Sequence, residues 1–171
     1  GILIVTDGVF SMGGDIAKLP EIVEIAKKYG ARVMVDDAHA LGVIGEGGRG
    51  TASHFGLEDE VDIYMGTFSK SLASLGGYMA ASKVVCDYVR HNSRPFIFSA
   101  SITPASCASA LAALRVLKAH PELVDRLQNI AEYMRNCLTE KGVKIRMSKT
   151  PIIPIFTYDV IRTLTINKKL Y

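Results

Sequence analysis

Cysteine is scarce in this 171-residue chain, and its three copies, Cys86, Cys107 and Cys137, are far apart and odd in number. None forms a Cys-x-x-Cys pair, so the pattern supplies neither a disulfide framework nor a zinc site, and no metal is expected. A reducing, cytoplasmic setting is the matching expectation. No stretch reaches the ~18 uninterrupted apolar residues of a membrane span. Charge of one sign is also lacking: 20 Lys and Arg stand against 17 Asp and Glu, a net charge of +3. The positive residues are scattered rather than clustered, which argues against a nucleic-acid-binding surface. Internal repeats and low-complexity segments are missing too. The chain opens on Gly1 and the apolar run Ile2-Leu3-Ile4-Val5, with no starting Met and no charged leader region. It is therefore expected to be a fragment of something larger.

What is there suits a folded domain. Hydrophobic residues make up 49% and charged residues 22%, enough apolar surface to build a core. Buried strands are expected at Ile2 to Val5, Arg32 to Val35, Val61 to Met65 and Tyr78 to Ala81, where β-branched and apolar residues run together. Further strands are expected at Phe96 to Phe98 and at Ile152, Ile153, Ile155 and Phe156. Pro20 sits where the first turn of a helix tolerates it, the apolar residues that follow recur at helical spacing, and Gly30 can close that helix. Helices are also expected over Val84 to Arg90, Pro104 to Ala119, Pro121 to Lys141 and Val160 to Leu170. Strands alternating with helices imply an α/β fold with a mostly parallel sheet. A boundary is expected near His120-Pro121, dividing residues 1–120 from 121–171.

In open parallel sheets, ligands bind beyond the carboxyl ends of the strands. Ser11 follows the first strand; Asp36 and Asp37 end the second, with His39 close behind; Thr67, Ser69 and Lys70 follow the third. Alone, Lys70 reads as a solvated loop lysine, since lysines are almost never buried unpaired. Its flanks, Thr67-Phe68-Ser69, Ser71 and Gly76-Gly77, change that reading, because hydroxyls and glycine amides are the donors a phosphate ester needs. A lysine amine beside a phosphate-anchored aldehyde is the arrangement of pyridoxal phosphate (PLP) chemistry. Asp36 alone could be a helix cap or a turn residue, but PLP requires an acid at its pyridine nitrogen. His39 alone reads as a turn residue or a satisfied histidine of the partial core.

The runs Val35-Asp36-Asp37-Ala38-His39-Ala40-Leu41-Gly42, Gly45-Glu46-Gly47-Gly48-Arg49-Gly50 and Gly66-Thr67-Phe68-Ser69-Lys70-Ser71-Leu72 resemble the α-oxoamine synthases. The likeness extends from Thr6-Asp7-Gly8-Val9-Phe10-Ser11 to Pro151-Ile152-Ile153-Pro154. It implies a partial large domain of the aspartate aminotransferase-like fold type I over 1–120, and a linking helix with the start of a small C-terminal domain over 121–171. It implies PLP as cofactor, a decarboxylative condensation of an amino acid with an acyl thioester to a 2-aminoketone, and a homodimer with shared sites. By the same resemblance, Lys70 is the Schiff-base lysine, and Lys70 and His39 are the catalytic residues. Asp36 partners the pyridine nitrogen, His39 bonds the ring hydroxyl, Ser11 lies near the ring and Thr67 binds the phosphate. Ser99 and Ser101, in Arg94-Pro95-Phe96-Ile97-Phe98-Ser99-Ala100-Ser101, are candidates for the partner protomer's phosphate. Gly13 departs from the pattern, which has Asp in this turn, and a small structural effect is expected. Arg49 reads as structural, holding the Gly-rich loop.

Within the family, the segments around Lys70, Arg90 and Phe98 look most like the bacterial serine palmitoyltransferase branch. The 8-amino-7-oxononanoate synthase and glycine C-acetyltransferase branches are the alternatives. The resemblance places an aromatic that stacks on the pyridine upstream of Gly1, and an arginine for the substrate carboxylate downstream of Tyr171. The piece alone is expected to be inactive. A reading of another class is a non-catalytic α/β dimerisation domain. A nucleotide-binding domain is disfavoured, since no Lys-Ser or Lys-Thr follows the glycines at 45–50.

Overall fold

The computed structural model describes residues 1–170; Tyr171, the last residue of the expected second domain, lies outside the described residues. Four strands form one sheet in the order β1 (Leu3–Asp7), β2 (Arg32–Asp36), β3 (Ile63–Thr67), β4 (Gly77–Ala81). The first three are parallel and β4 runs antiparallel to β3. The register pairs Asp7 with Asp36 and Asp36 with Met65, so the carboxyl ends of three strands open on one edge.

Side chains alternate across a strand, and that alternation sorts this sheet into two unlike faces. Ile4, Val33, Val35 and Tyr64 point to one face and pack with Leu19, Val23 and Ala26 of α1 (Leu19–Tyr29) and Ala52 of α2 (Thr51–Phe55). Helix α1 forms where expected: Pro20 lies in its first turn, Leu19, Val23 and Ala26 share its buried face, and Gly30 ends it in a left-handed conformation (φ 62°). Leu3 and Val5 point to the other face and are exposed. Asp7, Asp36 and Thr67 belong to that second face, at its carboxyl end, by the same alternation.

Beyond the sheet come α3 (Lys83–Asn92), α4 (Arg94–Ile97), α5 (Pro104–Ala119), α6 (Glu122–Glu140) and α7 (Val160–Leu170). Two expected strands are not formed. Residues Arg94–Ile97 make a short helix instead, with Pro95 in its first turn. At 152–156 there is only an isolated bridge between Ile145 and Ile155. Pro151 and Pro154 remove two backbone donors there, and the pairing stops at the Arg146 N–H to Pro154 and Phe156 N–H to Lys144 bonds. Helix α5 is largely uncovered: Ala110 is buried, while Leu111, Leu114 and Val116 are exposed.

Candidate functional site

The three parallel strands deliver their next residues to a common edge. After β1 the chain turns at Phe10–Asp15, closed by the Phe10 N–H to Asp15 carbonyl bond (2.9 Å) and the Gly14 N–H to Phe10 carbonyl bond (2.8 Å). Ser11 is exposed on that turn. After β2, the Asp36 carboxylate accepts from the Ala38 N–H at 2.9 Å, an Asx-type turn that swings His39 back toward the edge. After β3, residues 68–76 form a loop pinched by the Phe68 N–H to Gly76 carbonyl bond (2.9 Å) and the Ser74 N–H to Phe68 carbonyl bond (2.7 Å). Lys70 stands exposed on it. The loop turns at Lys70 through the Ala73 N–H to Lys70 carbonyl bond (3.0 Å), with Ala73 in the left-handed region at φ 48°.

The His39 imidazole is pushed below its ordinary value by burial and by the Lys70 ammonium, against the carboxylates of Asp7 and Asp36, which pull it upward. A lysine, two acids and an imidazole thus share one electrostatic environment, drawn from three strand ends. His39 is mainly neutral at neutral pH and keeps one ring N–H to donate. Thr67 lies one strand over, and its hydroxyl is buried without a hydrogen-bond partner, an unclaimed donor on the same face as Asp36.

Ser99 and Ser101 lie elsewhere, exposed in the segment between α4 and α5. That segment reaches the Lys70 loop through Ile102, which abuts Gly76, and α5 reaches it through Ser106, whose carbonyl accepts the Ser74 hydroxyl at 2.6 Å. Among the described residues, neither serine side chain makes a hydrogen bond. Arg49 does not hold the Gly-rich loop as expected. Its guanidinium is exposed and 3.8 Å from Glu46. The loop is held by backbone bonds, from Gly42 N–H to the Gly48 carbonyl (2.7 Å) and from Gly50 N–H to the Ile44 carbonyl (2.9 Å). Gly13 sits against the exposed Asp15–Arg146 ion pair (2.8 Å), where a side chain would have to displace flexible atoms only.

Two features of the candidate site are decided by the tertiary structure. Asp7 joins the site because register sets it beside Asp36, and its position at a strand's carboxyl end was the available signal. Asp37 turns to the opposite face and is 3% exposed. Nothing in the local sequence distinguishes it from its neighbour. No group of three or more acids, histidines and cysteines able to hold a metal ion occurs among the described residues.

A family model described as aminotransferase class I and II matches residues 1–170. A serine palmitoyltransferase of Sphingobacterium spiritivorum is 55% identical over 168 residues, covering 98% of this chain and 42% of that protein. An 8-amino-7-oxononanoate synthase of Petrotoga mobilis is 52% identical over 169 residues, covering 99% and 43%. Among solved structures, a serine palmitoyltransferase of S. paucimobilis with a bound PLP–myriocin aldimine superposes with TM-score 0.86 at 38% identity, covering 92% of this chain and 41% of that one. The chain therefore spans about two fifths of the length of the relatives it matches.

Proposed function

Because the chain belongs to the aminotransferase class I and II family, we propose that it is the cofactor-binding portion of a PLP-dependent α-oxoamine synthase. The whole enzyme would join an amino acid to an acyl thioester, with loss of carbon dioxide, in the manner of the serine palmitoyltransferases; 8-amino-7-oxononanoate synthesis is the alternative. One observation carries the reading: Asp36 and His39 at the end of β2 and Lys70 after β3 stand at the same carboxyl edge of the sheet. The unpartnered Thr67 hydroxyl adds a donor fit for a phosphate oxygen.

Bound there, PLP would supply an electron sink at the substrate's α-carbon. The residues have distinct tasks. The Lys70 amine would hold the cofactor's aldehyde carbon, and afterwards take and return a proton at the amino acid's α-carbon. The Asp36 carboxylate would oppose a positive ring nitrogen and keep it protonated. The neutral His39 would donate its ring N–H to the ring oxygen, and Thr67 would donate to phosphate. Ser11 would lie beside the ring, and Ser99 and Ser101 would serve the phosphate of a partner protomer. The exposed Phe96, Ile97 and Phe98 beside those serines support a homodimeric contact. The division at residues 120 and 121 belongs to the same reading, with α5 ending at Ala119 and α6 starting at Glu122. The free cysteines Cys86, Cys107 and Cys137 favour a cytoplasmic setting.

The test is an absorbance spectrum of the full-length protein with added PLP beside a Lys70→Ala control, then borohydride reduction and mass spectrometry. A pyridoxyl adduct on Lys70, lost in the control, is the expected outcome. No adduct on the full-length protein would sink the enzyme reading.

A further inference from the structure

Asp36 and Asp37 are consecutive acids with opposite fates. Asp36 faces the candidate site, whereas Asp37 points into the layer beneath it. There the Asp37 Oδ2 accepts the Thr51 N–H at 2.9 Å, in a bond buried from solvent. Thr51 itself is fully buried at the start of α2. The walls of this pocket are two glycines. A Cβ on Gly8 would collide with Asp37 Oδ1 and the Thr51 hydroxyl, and a Cβ on Gly50 would collide with Asp37 Oδ2. Gly8 is the residue after β1 and donates its N–H to the Asp36 carbonyl (2.8 Å). The Asp37 backbone completes the joint: its N–H donates to the Met65 carbonyl on β3 (2.8 Å), and its carbonyl accepts from Ala40 and Leu41 (both 2.9 Å), the turn that carries His39.

One side chain thus fills the space where β1, β2, the Gly-rich loop and α2 converge. Burial pushes its carboxyl above the ordinary value, against Thr51 beside it, which pulls it down. Both Asp37 Oδ1 and the Thr51 hydroxyl remain without a hydrogen bond. A group that costs stability in this way is a poor choice for packing alone. We propose that Asp37 is the positioning residue of the site: locked by Thr51 between Gly8 and Gly50, it fixes the end of β2, and through it the aim of Asp36 and His39. The cofactor side of this inference rests on the functional reading above; the geometric side does not.

The experiment uses the full-length protein with Asp37→Ala, Asp37→Asn and Val33→Ala, the last a buried apolar control on the same strand. Two quantities are read: the His39 imidazole pKa by NMR without cofactor, and the PLP dissociation constant by absorbance titration. In Asp37→Ala, His39 should move up toward its ordinary value as it leaves Lys70. PLP should bind about tenfold or more weakly, as when an orienting partner behind a ligand is lost. Asp37→Asn keeps an acceptor for the Thr51 N–H and the same volume, so it should leave both quantities close to wild type. Val33→Ala should lower the unfolding midpoint and leave both unchanged. If Asp37→Ala does not fold, Asp37→Ser, which cannot reach the Thr51 N–H, takes its place. The positioning role is overturned if the truncated variant leaves His39 unmoved, or if Asp37→Asn shifts it as far. A wild type that fails to take up PLP removes the cofactor reading alone, because the His39 measurement needs none.

Discussion

Residues 3–81 bury themselves against each other, with α1 and α2 laid on one face of the sheet and Leu19, Val33 and Val35 almost wholly out of water. Residues 83–170 are longer in helix yet bury little: among the described apolar residues there, Ala110, Val124 and Ala131 fall in the buried class, and α7 buries none. This second region is tied to the first by Ile152, which packs against Val9, Ala40 and Ile44, and by polar groups that land on the loops after the strands. Gln128 donates to the Val43 carbonyl (2.7 Å), Ser74 donates to the Ser106 carbonyl, and Ser148 and Thr150 both donate to the Gly14 carbonyl (2.6 and 2.9 Å). The difference separates two jobs. The sheet half supplies rigidity, so the chemistry-bearing side chains stand at its edge; the helical half touches the loops that carry Ser11 and Lys70.

Cutting the core of the sheet half should show the largest effect. Leu19→Ala is expected to cost about 2–5 kcal/mol in urea unfolding, through lost burial and the cavity left behind. Leu164→Ala on α7, at a position 60% exposed, should stay within about 0.5 kcal/mol. Equal costs would erase the contrast between the halves. Next in size is the polar tie. Thr150→Val keeps the volume of a fully buried residue but loses its bond to Gly14, and should cost about 1–3 kcal/mol. It should also raise amide exchange in the turn at residues 10–15, which no loss confined to the helical half would do.

The smallest effect concerns Asp37 and depends on pH. Its folded-state pKa lies above the ordinary 3.8, so the folded state holds the proton more tightly. That contribution is fully present below the unfolded value and is lost as pH rises through the folded one. Asp37→Asn abolishes the loss, and its stability relative to wild type should climb between about pH 4 and neutrality. A difference that is flat with pH would show that the Asp37 carboxyl titrates normally.

Where the sequence read well, the cause was local. The helix from Leu19 to Tyr29 announces itself through Pro20, apolar spacing and Gly30, each acting within a few residues. Helix α5 starts on Thr103, whose hydroxyl accepts from the Ser106 N–H (3.3 Å), with Pro104 directly after it. The strands that failed, Phe96 to Phe98 and Ile152 to Phe156, have suitable side chains, but the first folds as a helix and the second pairs only at an isolated bridge to Ile145, outcomes no local pattern encodes. The site divides in the same way. Residue type, position after the strands and the family resemblance offered Asp36, His39, Thr67 and Lys70 as candidates. Asp7 entered through register, and Asp37 through burial.

The sequence by itself determined the succession of elements and the kinds of chemical group set after each strand, because propensity, capping and alternation act between near neighbours. Only the tertiary structure decided which of two adjacent acids faces the site and which is locked beneath it. That choice depends on Gly8, Gly50 and Thr51, as many as 29 residues away along the chain, closing around one carboxylate and leaving the other free at the edge.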